Sequence, residues 1–377
     1  MISAGEKLIL RICHFTGIMR TGWIDSWRGI LILLVVVGHI IGMSYHFANI
    51  ECQKTMGMLY KLIYSFHMPA FFLLAGMTWS GQPDGFRAYL EKKIKRLAVP
   101  YLFWGFVSAG IYVLATPLIK MIFSGATTDA YVGKGMERFW LPFVSILHGG
   151  GWPDGNGFQC NSVLWFLPVM FSLLIMFFVI HKVFKSRLVL ITFLVAAFPV
   201  WFALQHISWP LPWGLSLVWR YLPYFIVGFL VKDLRRIEFS GKAKRVVWFV
   251  FIALVPIHLF ACVATPDMHV ATDSILWAFL FFLIALAGAF GSAFGSILLD
   301  NPLLRSIGKE TMVIMIFHKF IILMLMNVTP LSAHLKYLGL SAILLHGLLI
   351  TAATIVICRV MHHVFSKHIP RLIGEWK

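Results

Sequence analysis

The sequence predicts an all-α polytopic integral membrane protein with about ten transmembrane helices, and three observations predict it. Of the 377 residues, 60% are hydrophobic and only 12% charged, more apolar surface than a soluble domain can hide. The apolar residues come in runs of about 20, the length that crosses a ~30 Å hydrocarbon core as a helix. Most of the 32 lysines and arginines fall on one side of the bilayer when ten spans are counted, which places both termini in the cytoplasm by the positive-inside rule.

The net charge of +17 points to nucleic acid only on a soluble protein. Here the basic residues sit between apolar runs, where they orient the chain and meet anionic headgroups. The inside segments hold Lys7, Arg11, Arg20 and Arg28, then Arg87, Lys92, Lys93, Lys95 and Arg96, then Lys182, Lys185 and Arg187. The run from Lys232 to Arg245 follows, then Arg305 and Lys309, and last the tail from Arg359 to Lys377.

The expected spans are 28–46, 58–80, 98–122, 162–182, 188–206, 217–232, 246–264, 275–297, 312–328 and 338–359. They divide the chain into a cytoplasmic N-terminal tail (1–27), a transmembrane domain (28–359) and a basic cytoplasmic C-terminal tail (360–377). Residues 1–24 do not read as a secretory signal, because the first long apolar run is too long for an h-region and lacks a small-residue cleavage site. Met19 is a second candidate start.

The first span opens with DSWRGILILLVVVGH, residues 25–39. Eleven residues separate Arg28 from His39, about three helical turns plus 20° and a climb of roughly 16 Å. The two therefore share one face, the Arg near the inner surface and the His deeper. The second span contains IYSFHMPAFFLLAG, running the opposite way. It carries His67 to a depth of about 13 Å from the outer edge, close to the ~10 Å of His39. Pro69 frees a carbonyl one turn earlier and lets the helix bend.

The third span follows the basic KKIKRLAVPY, and the fourth opens on LWFLPVMF. The fifth and sixth are short or interrupted by Pro, and the sixth carries Arg220 in WRYLPYF, costly in lipid unless it faces a wet cavity, a ligand or the outer surface. The long outer loop 123–161 contains FWLPFVSILHGGGWPDGNG, readable as an interfacial or re-entrant piece or as a plain surface loop. His258 and His346 read as structural. The short ninth span carries His318 about 9 Å above its inner edge.

All fifteen carboxylates map to loops or span ends, which argues against a cation-coupled transporter. Cys52 and Cys160 fall in outer loops, open to pairing in an oxidising compartment or to being unrelated thiols. No Cys/His spacing resembles a metal site, so none is expected.

Arg28-x10-His39, FHMPAFFLLAG (66–76), KKIKRLAVPY (92–101), LWFLPVMF (164–171) and SIGKETMVIMIFH (306–318), in this order on ten spans, resemble the membrane acyltransferase-3 superfamily across nearly the whole chain. The SFHMPAFFLLAG and LWFLP runs are most similar to the stand-alone branch of fucose 4-O-acetylases and related sugar O-acetyltransferases, and to enterobacterial common antigen O-acetyltransferases. No fused SGNH hydrolase-like domain follows.

The resemblance implies transfer of an acetyl (acyl) group from cytoplasmic acyl-CoA, a co-substrate rather than a bound cofactor, to a hydroxyl of a cell-surface or lipid-linked glycan. The partners it implies are acyl-CoA, the glycan acceptor and the lipid of an inner membrane. It gives Arg28 and His39 the R-x10-H roles, His67 the His-x-Pro position and Arg96 the basic loop.

Chemistry extends these roles. Lys92, Lys93, Lys95 and Arg96 with Arg28 offer charge-assisted hydrogen bonds to the phosphates of acyl-CoA, or the loop serves topology alone. His39 is the expected general base, and His67 orients the acceptor, stabilises the oxyanion or is itself the base. Trp165, Arg220 and His318 are the remaining substrate-binding candidates. Asp25, one turn before Arg28, caps the helix or pairs with the guanidinium, and Glu310, just before the ninth span, is a second supporting candidate. The rival reading is a transporter or flippase of a lipid-linked glycan, without bond chemistry.

Overall fold

The computed structural model describes residues 22–45, 48–81, 85–122, 137–149, 161–207, 211–237, 239–265, 274–328 and 337–376, with the backbone alone for 115–122 and 137–138. Among the described residues the chain is all-α, and ten helical segments are long and apolar enough to cross a membrane. Met1, Met19 and Cys160 lie outside the described residues.

Helix α1 (Gly22–Tyr45) is the first span. The second is broken into α2 (Ile50–Tyr64) and α3 (His67–Met77), and α4 (Phe86–Lys93) leads through a widened π turn (Ile94–Ala98) into α5 (Val99–Ile122). Next come α6 (Glu137–His148), α7 (Phe166–Val183), α8 (Arg187–Leu204) and α9 (Leu215–Leu230). The chain continues with α10 (Gly241–Ala264), α11 (Ile275–Leu298), the short α12 (Pro302–Lys309), α13 (Thr311–Val328) and α14 (Leu340–His368). Spans alternate in direction, so the bundle has a proximal side, where α1 begins, and a distal side.

Several edges differ from the sequence expectation. Helix α1 begins at Gly22, so Arg28 sits in its second turn instead of at its edge. Cys52 is buried in α2 instead of lying in a loop. The basic KKIKR segment is itself helical, and its π turn precedes Pro100, whose missing N–H leaves a regular turn short of one bond. Pro199 and Pro223 lie inside continuous helices. Within the 123–161 loop, α6 is a short helix tied to the bundle where the Tyr101 hydroxyl donates to the Ile146 carbonyl at 2.9 Å.

Two glycine pairs set the closest helix crossings. A Cβ on Gly76 would lie 2.0 Å from the Phe225 carbonyl oxygen, and one on Gly228 would lie 1.9 Å from that of Leu73. Helices α3 and α9 thus touch backbone to backbone, which only a hydrogen at both positions allows. Gly29 and Gly308 do the same for α1 and α12, with clearances of 2.2 Å to Leu304 O and 1.9 Å to Asp25 O. These crossings bring α1, α3, α9 and α13 around a common centre.

Candidate active site

A cavity of about 390 Å³ lies inside the bundle, bounded by α1, α2, α3, α9, α11, α13 and the turn Ser162–Trp165. Ile32, Val35 and His39 form its α1 wall, one stripe of the helix at i, i+3 and i+7. Arg28 lies one turn below Ile32 on the same stripe but outside the lining, where it pairs with Asp25 at 3.5 Å. His67, Trp165, Arg220 and His318 all line the cavity. Five of the residues singled out from sequence thus meet in one space.

The break between α2 and α3 places His67. Pro69 has no N–H to offer the Ser65 carbonyl, so the helix stops at Tyr64 and restarts at His67, the first residue of α3. Side chains satisfy the carbonyls this exposes. Ser65 Oγ donates to Leu62 O at 2.8 Å, and His67 Nδ1 donates to Ile63 O at 2.8 Å. Behind the break, His258 of α10 contacts Ser65 Oγ at 3.2 Å and Leu62 O at 3.3 Å, and its Nδ1 lies 3.0 Å from Ile284 O. His258 therefore has the structural role its sequence position indicates.

The imidazoles form one aromatic chain. Tyr64 presents its ring to His39 (centroids 6.1 Å, interplanar 84°) and to His67 (4.7 Å, 71°), while His39 and His318 are 5.1 Å apart. Hydrogen bonds decide the tautomers. His318 Nδ1 lies 2.7 Å from the Ile314 carbonyl and so carries the proton, as does His67 Nδ1 toward Ile63. Each is left with an Nε2 lone pair. His39 Nδ1 meets the Tyr64 hydroxyl at 3.3 Å. His67 and His318 are buried, whereas His39 is half-buried, so His39 is the imidazole most open to the cavity.

Two further residues belong with this group. Tyr64 carries no charge that marks it in sequence, and only the fold puts it between two histidines. Lys319, next to His318, donates to Ser162 Oγ on the cavity wall. It was legible as a lysine inside an apolar span, which is expensive unless it has polar company.

The remaining candidates lie elsewhere. Lys95 pairs with Glu91 and stacks on Trp376 (5.4 Å), Lys93 sits over the Tyr89 ring (4.9 Å), and Arg96 is exposed. All three stay on the proximal surface around the π turn, outside the cavity lining, and the C-terminal Trp376 Nε1 donates to Lys95 O at 2.8 Å. Glu310, between α12 and α13, pairs with Arg359 Nε at 3.2 Å and accepts from Ser306 Oγ at 2.9 Å. It braces α14 against the proximal end of α13, where Thr311 lines the cavity.

The chain matches the acyltransferase domain family over residues 21–363. It belongs to the acyltransferase-3 family. The match reaches from the start of α1 into α14 and contains every cavity residue named above. The chain is also similar to the nodulation protein NolL of Sinorhizobium fredii (strain NBRC 101917 / NGR234), 34% identical over 82 residues. That stretch spans 21% of this chain and 22% of NolL. No solved structure matches.

Proposed function

We propose that this acyltransferase-3 member moves an acetyl group from acyl-CoA, entering from the cytoplasmic side, to a hydroxyl of a cell-surface or lipid-linked glycan. The observation that carries the reading is the convergence of His39, His67 and His318 on one cavity deep in the bundle, with the Nδ1 atoms of His67 and His318 held by backbone carbonyls. A flippase has no use for such an arrangement.

Acyl-CoA phosphates cannot enter lipid, so the nucleotide end stays at the proximal, basic surface near Arg28 while the thin pantetheine arm carries the thioester upward. The acceptor hydroxyl oxygen attacks the thioester carbon, and His39 Nε2 takes its proton. Tyr64 acts as the third group that orients the base, in the manner of a nucleophile–base–orienter relay. The Lys319 ammonium, held by Ser162 beside His318, stabilises the oxyanion. The C–S bond then breaks, the ester is released, and the CoA thiolate recovers the proton from His39. Water exclusion by the surrounding aromatic wall, including Trp165 stacked on Tyr221 (5.7 Å), protects the thioester from hydrolysis.

The test is transfer of radiolabel from acetyl-CoA to extracellular glycan by membranes carrying the protein. His39→Ala lowers transfer by about 10²- to 10⁴-fold at unchanged protein level. Undiminished transfer by that variant removes His39 as the base, and label-free glycan from the unsubstituted protein removes the reaction.

A further inference from the structure

We infer that Arg220 is an anion subsite, and that the glycan acceptor carries an oxyanion group, phosphate or carboxylate, which this guanidinium binds. The inference rests on the acyl-transfer reading for the word acceptor, but the subsite stands on its own observations.

The first observation is that Arg220 lacks the carboxylate partner that other arginines of the bundle have. Arg28 pairs with Asp25, Arg305 with Asp300 and Arg359 with Glu310. Arg220 lines the cavity with no ion pair to a carboxylate among the described residues, and its buried Nε has no hydrogen-bond partner there. A buried guanidinium N–H with no acceptor is costly unless something else takes the bond.

The second observation is its mounting. The Arg220 guanidinium carbon lies 5.2 Å from the Trp201 ring, 5.6 Å from Phe281 and 5.9 Å from Tyr221. Ring faces stabilise the flat face of the cation but cannot accept its in-plane N–H groups. They fix the fork in place and leave its edge for a planar or tetrahedral oxyanion, the geometry to which arginine is best matched.

The third observation is position. Arg220 is five residues from the distal start of α9, about 8 Å along the helix, whereas Arg28 is six residues from the proximal start of α1. The phosphates of acyl-CoA remain at the proximal end, so they do not reach Arg220. An anion arriving from the distal side belongs to the other substrate.

The experiment measures thermal stabilisation of the purified full-length protein, without acyl-CoA, at constant ionic strength. The probes are inorganic phosphate, a hexose 1-phosphate, a hexuronate and an uncharged methyl hexoside. The expected result is a saturable shift with phosphate and with at least one anionic sugar, weakened about tenfold or more in apparent affinity by Arg220→Gln and partly kept by Arg220→Lys. The exposed Arg187→Gln leaves it unchanged. The phosphate and carboxylate sugars tell the two oxyanions apart. If Arg220→Gln does not fold, Arg220→Lys alone decides, by a weakened response to phosphate.

Equal responses in all variants, or none in the unsubstituted protein, overturn the proposal. Loss of the phosphate response in phosphatidylglycerol nanodiscs but not in phosphatidylcholine ones makes the occupant a lipid headgroup, which overturns the acceptor assignment. Absence of label transfer from acetyl-CoA with the phosphate response intact sinks the transferase reading and leaves the subsite standing.

Discussion

Tyr64→Phe tests whether the Tyr64 hydroxyl orients His39 or performs chemistry of its own. The substitution removes one oxygen and keeps the ring that packs between His39 and His67, so the cavity wall is preserved. What His39 loses is the contact between its Nδ1 and the Tyr64 oxygen, long at 3.3 Å. An intramolecular hydrogen bond contributes a net ~0.5–1.5 kcal/mol, and each ~1.4 kcal/mol is tenfold in rate. The expected drop in kcat is therefore about 2- to 13-fold, well short of the 10²- to 10⁴-fold expected for losing a base. Acetyl transfer measured over a range of acyl-CoA and acceptor concentrations gives the value, with KM for acyl-CoA unchanged. A drop beyond 10²-fold means the hydroxyl itself moves a proton. An unchanged kcat means the contact does not orient the base. Either result refutes the reasoning.

Three other outcomes follow from the packing. Gly228→Ala puts a methyl group 1.9 Å from the Leu73 carbonyl oxygen; backbone cannot yield as a side-chain tip can, so a loss of about 1–3 kcal/mol shows as a lower melting temperature in detergent, and an unaltered one contradicts the crossing. His258→Leu strips partners from Ser65 and from the Leu62 and Ile284 carbonyls, costing about 1–3 kcal/mol. It also loosens the break that aims His67, so kcat falls while KM for acyl-CoA holds; intact kcat in the folded variant separates the break from catalysis. Arg305 hydrogen bonding, assisted by Ser26 at 2.6 Å, holds the Asp300 carboxyl below its usual 3.8. A lowered value in the folded state means its stabilisation is present above the ordinary pKa and fades as pH falls through it. The melting-temperature advantage of the native protein over Asp300→Asn should therefore shrink below about pH 4. A difference flat with pH denies the link.

The match of family, all-α fold and number of spans to the sequence reading has a simple cause. A bilayer demands long apolar helices whatever their neighbours are, so composition and run length sufficed for the all-α, ten-span architecture. The shared face of Arg28 and His39 was equally legible, because helical periodicity is local. Depth matching of His39 and His67 needed only counting along two antiparallel spans. The cost of burying an ammonium in an apolar span singles out Lys319 as well.

What sequence could not supply is which faces look at each other. Rotation of a helix about its axis is set by close packing, here by the glycine crossings Gly76–Gly228 and Gly29–Gly308, and those are pairwise facts invisible in a single chain read end to end. Only the tertiary structure put Tyr64 between two imidazoles and left Arg220 in the cavity without a carboxylate. It also kept Lys93, Lys95 and Arg96 on the proximal surface, where neighbouring rings, a glutamate and water engage them. The sequence determined that polar groups enter an apolar bundle, since burial of charge is costly anywhere along a span. The fold decided which of them share a space, because that depends on contacts between residues far apart in the chain.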